Sequence, residues 1–309
     1  MSVAVLFPGQ GSQSVGMLTE LAAHYPQLKE TVAEASAALG EDLWQLMSQG
    51  PEAQLNRTDL TQPVMLTAGV AVWRLWQQQG VTPAYLAGHS LGEYTALVAA
   101  GSLGLAEAVV LVAERGKLMQ QAVPDGVGAM AAIMGLDSEP VVKLCAEIST
   151  PESLVSAVNF NSPQQIVIAG HRDAVEAASV AAKAAGAKRA KRLPVSVPSH
   201  CALMAPAAEQ LAQKLAKTTI TAPEIAVINN VDVACEFEPE AIKLALVRQL
   251  YSPVRWVEIV SMLADKGVTT ALELGSGKVL AGLNKRITTV VSTVSVFDSE
   301  TLHQALKLH

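Results

Sequence analysis

Gly88-His89-Ser90-Leu91-Gly92 sets a serine between two glycines, with the apolar run Tyr85-Leu86-Ala87 before it and a helix-like run from Tyr94 to Ala100 after it. A strand that turns sharply into a helix needs small residues on both sides of the turn. Such a turn lifts the hydroxyl above the sheet edge, beside the N–H groups of the helix start. Those N–H groups can stabilise an oxyanion, so the spacing suits a nucleophilic serine. A glycine-flanked serine in a strand-to-helix turn is also common in α/β proteins without any chemistry, so a base has to be found.

The chain offers six histidines: His24, His89, His171, His200, His303 and His309. His89 precedes the serine at the turn, and its side chain is expected to point away. His24 falls on an early helix, His171 at a turn, and His303 and His309 in the tail. His200 lies after a strand and before a helix, in Pro198-Ser199-His200-Cys201. By elimination it is the best base; its alternative is a packed structural histidine. The group that would orient the imidazole carries no motif. Asp232 and Glu273 lie near strand ends, and the choice stays open at this level.

One cation is out of place. Ala108, Val112, Arg115 and Met119 recur on one face of a helix expected over 105–123, with Glu107, Glu114, Lys117 and Gln121 opposite. A guanidinium on an apolar face is costly unless compensated. It can pair with a structural carboxylate, snorkel to the surface, or hold an anionic ligand. Other chemistries fail on spacing. Gly275-Ser276-Gly277-Lys278 imitates the end of a phosphate-binding loop, but Leu272 and Val279 stand where Gly and Ser/Thr are required. No HExxH, paired CxxC or EF-hand pattern is present, so no metal site is expected.

The elements that must hold these residues read as an α/β chain. The run Val3–Phe7 is a buried strand ending in the loop Pro8-Gly9-Gln10-Gly11-Ser12-Gln13. Helices are expected over 19–25, 27–39, 63–79 (stopped by Gly80), 241–250 and 256–266, with a turn at Gly50-Pro51. Further strands are expected over 226–229, 270–274 and 290–296. Between them, strands at 129–135, 155–160, 165–169 and 193–197 alternate with helices at 140–148 and 173–185 in β-α-β-β-α-β order, that of a ferredoxin-like unit. The expected organisation is a discontinuous large α/β domain, 1–126 and 197–309, with a small subdomain, 127–196, inserted in it.

Composition bounds the class. Of 309 residues half are hydrophobic and 16% charged, with a net charge of −6. That describes a globular chain and argues against general nucleic-acid binding. Cys145, Cys201 and Cys235 form no framework, as in a reducing compartment. No signal segment or membrane span is read, so a soluble cytoplasmic protein is expected. Lys188, Arg189, Lys191 and Arg192 form a basic cluster against the acidic background, a solvated edge or a dock for an anionic partner.

Several stretches together resemble one family. Phe7-Pro8-Gly9-Gln10-Gly11-Ser12-Gln13, Thr61-Gln62-Pro63, Gly88-His89-Ser90-Leu91-Gly92-Glu93, Arg115-Gly116, Val158-Asn159-Phe160-Asn161-Ser162-Pro163, Pro198-Ser199-His200-Cys201 and Gln249-Leu250-Tyr251 occur in the order seen in bacterial malonyl-CoA:acyl carrier protein transacylases. The resemblance spans residue 7 to about 280, and Ser276 departs from the proline common in that loop. It implies an α/β-hydrolase-like large domain and a Ser90–His200 dyad whose imidazole is steered by the Gln249 carbonyl. It implies an oxyanion hole at the Gln10 and Leu91 N–H groups, Arg115 as the clamp for a malonyl carboxylate, and Asn159 and Asn161 near the pocket. The implied reaction moves malonyl from coenzyme A to the phosphopantetheine thiol of acyl carrier protein in fatty acid synthesis, without a further cofactor. Acyl carrier protein is acidic in this family, and Lys285 and Arg286 join the basic cluster as docking candidates. The rivals are a serine esterase or thioesterase, which has no use for Arg115, and a silent carrier-binding scaffold.

Overall fold

A computed structural model of the chain describes residues 2–78, 82–195 and 197–307. Among these, the parallel strands β1 (Ser2–Phe7) and β2 (Tyr85–Gly88) form the centre of a large sheet. Three antiparallel strands follow, β3 (Gly128–Met134), β4 (Val155–Ser162) and β5 (Gln165–His171), then β6 (Arg189–Arg192). The chain returns to the large sheet with β7 (Ala226–Ile228), β8 (Val268–Leu274) and β9 (Ser292–Val296).

The large sheet is parallel throughout, in the order β7-β2-β1-β8-β9. β1 shows why it needs cover on both faces. Val3, Val5 and Phe7 enter one apolar core, while Ala4 and Leu6 enter the other, as the two-residue period of a strand dictates. The first core is closed by helices Leu28–Leu39, Thr58–Gln77, Gly92–Ala99 and Leu105–Gln121; the second by Trp256–Asp265 and Val279–Ile287. β1 and β2 are parallel neighbours, so the loops after them adjoin at the carboxyl edge, where open α/β sheets bind ligands.

The small sheet runs β4-β5-β3-β6, all antiparallel, with helices Ser138–Ile148 and Arg172–Ala184 packed on one face. Val254 joins it to the large unit, giving its N–H to the Val158 carbonyl and taking the Phe160 N–H.

Most expected elements fall within a few residues of their places, and three differ. The last strand of the small sheet is Arg189–Arg192, not 193–197; Ser196 lies outside the described residues. An edge strand needs only its ladder to β3, and charged edge residues discourage pairing with other chains, whereas Pro194 cannot donate to a ladder. The helix expected from Pro63 begins at Thr58 and ends at Gln77, carrying Pro63 in its second turn; Gln79 and Gly80 lie outside the described residues. Helices Leu43–Gln49 and Glu52–Leu55 flank Gly50-Pro51, the first with Asp42 Oδ1 accepting from the Gln45 N–H at 2.8 Å.

Close backbone approach fixes the centre of the fold. A Cβ on Gly88 would stand 1.8 Å from the Gly92 carbonyl carbon, and one on Gly92 would stand 2.1 Å from the Phe7 carbonyl oxygen. On Gly282, within helix Val279–Ile287, a Cβ would meet nothing within 4 Å. Gly92→Ala is therefore expected to lower stability by several kcal/mol or abolish folding, while Gly282→Ala raises it by up to about 1 kcal/mol. Urea unfolding of the two variants decides this.

Candidate active site

Ser90 sits where β2 meets helix Gly92–Ala99, with φ at 53°, a left-handed conformation that a side chain normally avoids at a cost of about 1–3 kcal/mol. Surrounding bonds hold it there. Its N–H donates to Asn230 Oδ1 at 2.7 Å, and Asn230 Nδ2 donates to the Gly88 carbonyl at 2.7 Å. His89, as expected, points elsewhere: Nε2 lies 2.7 Å from Asn161 Oδ1, and its ring packs on Trp256.

The hydroxyl meets an imidazole. Ser90 Oγ lies 2.7 Å from His200 Nε2, and His200 Nδ1 lies 2.7 Å from the Gln249 main-chain carbonyl. A carbonyl accepts only, so the Nδ1–H tautomer is fixed and Nε2 is free to take the serine proton. Burial, then the nearby Arg115 charge, pushes the His200 pKa down to about 3, which keeps the resting imidazole neutral. The acids considered from sequence serve elsewhere. Asp232 makes a bidentate pair with Arg248, and Glu273 accepts the Leu280 and Ala281 N–H groups at a helix start. The Gln10 and Leu91 N–H groups have no hydrogen-bond partner among the described residues.

Arg115 neither snorkels nor meets a carboxylate. It is 1% exposed, with Nη1 donating to Gln62 Oε1 at 2.7 Å and Nη2 to Gln249 Oε1 at 3.0 Å. Its guanidinium lies 5.4 Å from the Tyr94 ring centre, and Nε has no partner. Helix Thr58–Gln77 comes near enough for Gln62 to reach because residue 116 is glycine: a Cβ there would stand 2.7 Å from the Thr58 carbonyl oxygen.

Glu93, 2% exposed, completes the group. Its Oε2 accepts from Gln249 Nε2 at 2.8 Å and from the Asn230 N–H at 2.9 Å. Burial raises its pKa to about 7, against the lowering effect of these bonds and of Arg115. At the small sheet, Asn161 reaches the His89 ring beside the serine, while Asn159 Oδ1 is buried without a partner. His171 Nδ1 accepts the Leu154 N–H and belongs to the small sheet alone; His309 lies outside the described residues. Ser276 Oγ donates to the Ser12 carbonyl at 2.8 Å, which ties the loop after β8 to the loop after β1.

Comparison with known proteins meets this geometry. The acyl transferase domain family matches residues 5–295. The malonyl CoA-acyl carrier protein transacylase of Salmonella typhimurium is 60% identical over 304 residues, 98% of each chain, and that of Escherichia coli K12 is 58% identical over 306 residues, 99% of each. The chain belongs to the malonyl-CoA:acyl carrier protein transacylase family. Among solved structures, the acyl carrier protein S-malonyltransferase of Vibrio cholerae superposes with a TM-score of 0.96 at 57% identity, covering 99% of this chain and 100% of that one. A malonyl-transacylase in complex with a type II PKS acyl carrier protein superposes with a TM-score of 0.98 at 54% identity over the full length of both.

Within this transacylase, sequence reasoning missed Gln62, Glu93, Tyr94 and Asn230. Gln62 and Glu93 lie in the motifs that carry the family resemblance. Asn230 gives no local signal, because its role arises from a contact 140 residues away. Among the described residues, no three acidic, His or Cys side chains are placed to hold a metal ion, and no helix is long and apolar enough to cross a membrane.

The pKa of Glu93 has a stability consequence. Between its ordinary value of 4.5 and about 7 the native protein keeps a proton that the unfolded chain releases. Its contribution is therefore full below 4.5 and is lost as pH rises through 7. Glu93→Gln removes this titration, so the unfolding free energy of the variant minus that of the wild type is expected to grow by about 3 kcal/mol from pH 4.5 to 7.5. Urea titrations at several pH values measure it, and a flat difference would contradict the buried-carboxyl assignment.

Proposed function

We propose that the chain transfers the malonyl group of malonyl-CoA to the phosphopantetheine thiol of acyl carrier protein, through an ester on Ser90, and so supplies extender units for fatty acid synthesis. The observation that carries this reading is the buried Arg115 charge, which shares a hydrogen-bonded group with Ser90 and His200 yet meets only neutral oxygens. An acyl group that ends in a carboxylate supplies the missing countercharge. Guanidinium suits such a group because its planar fork can grip both oxygens. A simple esterase has no need for such a residue.

In the first half-reaction Ser90 Oγ gives its proton to His200 Nε2 and attacks the thioester carbonyl. The oxyanion is received by the Gln10 and Leu91 N–H groups. The C–S bond breaks as Nε2–H returns the proton to sulfur, freeing coenzyme A and leaving malonyl-Ser90. In the second half, the carrier thiol yields its proton to Nε2 and attacks the ester, and the proton passes back to Ser90 Oγ. The Gln249 carbonyl keeps the imidazole in the right tautomer throughout. Protons and electron pairs balance within these groups, so no cofactor is called for.

Asn159 and Asn161 belong to the wall of the acyl pocket, a role supported by the Asn161–His89 contact and the unpartnered Asn159 oxygen. The large unit, 1–126 and 197–309, is hydrolase-like, and 127–196 forms a ferredoxin-like subdomain, supported by its four-stranded order and two helices. The carrier docks by charge on the edge marked by Lys188, Arg189, Lys191 and Arg192, with Lys285 and Arg286. The cytoplasm is the compartment that suits three unbridged cysteines.

Ser90→Ala is expected to abolish the malonyl ester while preserving the fold, and His200→Ala to be nearly as severe, because the two act as one unit. Mass spectrometry after incubation with malonyl-CoA reads both; an ester persisting on Ser90→Ala would refute the assignment. Arg115→Ala should cost malonyl transfer about 3–5 kcal/mol, roughly two to four orders of magnitude in kcat/KM, while sparing or raising acetyl transfer. Lysine should restore only part of it. A parallel fall for both thioesters would make Arg115 structural.

A further inference from the structure

We propose that Glu93 is a positioning residue for this acyl transfer, setting the preference for a carboxylated acyl group through its hold on Gln249 and Asn230. The inference rests on the malonyl reading above. Glu93 touches none of the reacting atoms, yet one of its oxygens joins the parts that do. Oε2 accepts Gln249 Nε2 at 2.8 Å and the Asn230 N–H at 2.9 Å.

Each bond controls a different feature of the site. An amide can present either end, and Arg115, which only donates, needs the oxygen end of Gln249. Glu93 and the Ser90 carbonyl, at 3.0 Å, both receive Nε2 and so turn Oε1 toward the guanidinium. With Gln62 holding Nη1, this fixes the fork from both tines. The same Gln249 residue offers its main-chain carbonyl to His200. Asn230, pinned by its own N–H, clamps the Ser90 turn through the Ser90 N–H and the Gly88 carbonyl. The charged groups felt by Glu93 are Arg115 and Asp232. Arg115 is the one Gln249 bridges to it, so a single buried carboxyl aims the guanidinium through the amide between them and leaves its charge for a ligand to meet.

The test compares Ser90 acylation by malonyl-CoA and acetyl-CoA in wild type, Glu93→Leu and Glu93→Gln. The ratio of the two kcat/KM values does not depend on how much enzyme is folded, so mere loss of structure leaves it unchanged. Glu93→Leu removes the acceptor and is expected to lower the malonyl preference at least tenfold, with KM for malonyl-CoA rising. Glu93→Gln keeps one oxygen and should hold the ratio within about threefold, as expected of a hydrogen-bond acceptor. An unchanged ratio in Glu93→Leu, or an equal fall in Glu93→Gln, overturns the proposal. If Glu93→Leu does not fold, Glu93→Asp, whose carboxylate is one methylene shorter, carries the same two outcomes. Failure of the wild type to take malonyl on Ser90 would instead sink the underlying reading.

Discussion

A positive charge buried without a carboxylate beside it is the constraint on which the rest of this structure turns. Arg115 stands 1% exposed, and its two terminal nitrogens meet glutamine oxygens. Such a group costs several kcal/mol unless its surroundings are built for it. Here the surroundings are built from far-apart pieces. Helix Thr58–Gln77 crosses close enough to offer Gln62 only because residue 116 has no side chain, and helix Pro239–Gln249 ends in the glutamine that meets the other tine. Gly116 and Arg115 are thus one device: the first permits the approach that the second requires.

The same charge bears on the base. Burial disfavours a charged imidazole, and the cation nearby disfavours it further, so His200 rests neutral. A carboxylate in place of the Gln249 carbonyl would oppose both effects and would also compete for the guanidinium. The carbonyl orients the ring and does neither. Glu93, the carboxyl within this group, is kept one amide away from Arg115, and burial raises its pKa.

The sequence made some of this legible and hid the rest for physical reasons. Ser90 could be read because a strained turn demands glycines at fixed offsets, and Arg115 because helical periodicity put a charge on an apolar face. His200 followed by elimination among six. The Gln249 carbonyl could not be read from residue chemistry, since every residue has a main-chain oxygen; only the family resemblance pointed there. Asn230 matters through tertiary closure with Ser90 and Gly88, and nothing in its own neighbourhood announces it. β6 escapes sequence reading because apolar content marks buried strands, whereas the edge strand Arg189–Arg192 is held by its ladder to β3 and puts only Ala190 against the core. The start of the helix through Pro63 is hidden because proline usually marks a helix start, and here it lies a turn inside.

The carbonyl behind His200, a dipole where a full negative charge could stand, also bears on which acceptor the ring can activate. Burial, then the Arg115 charge, pushes the imidazole pKa down, so the ring is a weak base, and a thiol is a far stronger acid than water. The ring's capacity to activate an acceptor therefore falls off steeply from sulfur to water. An acid behind the ring would raise the basicity of the imidazole and bring bulk solvent into competition. With only a peptide dipole there, the ring is better matched to a thiol than to water. A modest proton affinity thus favours hand-over to sulfur above loss to solvent.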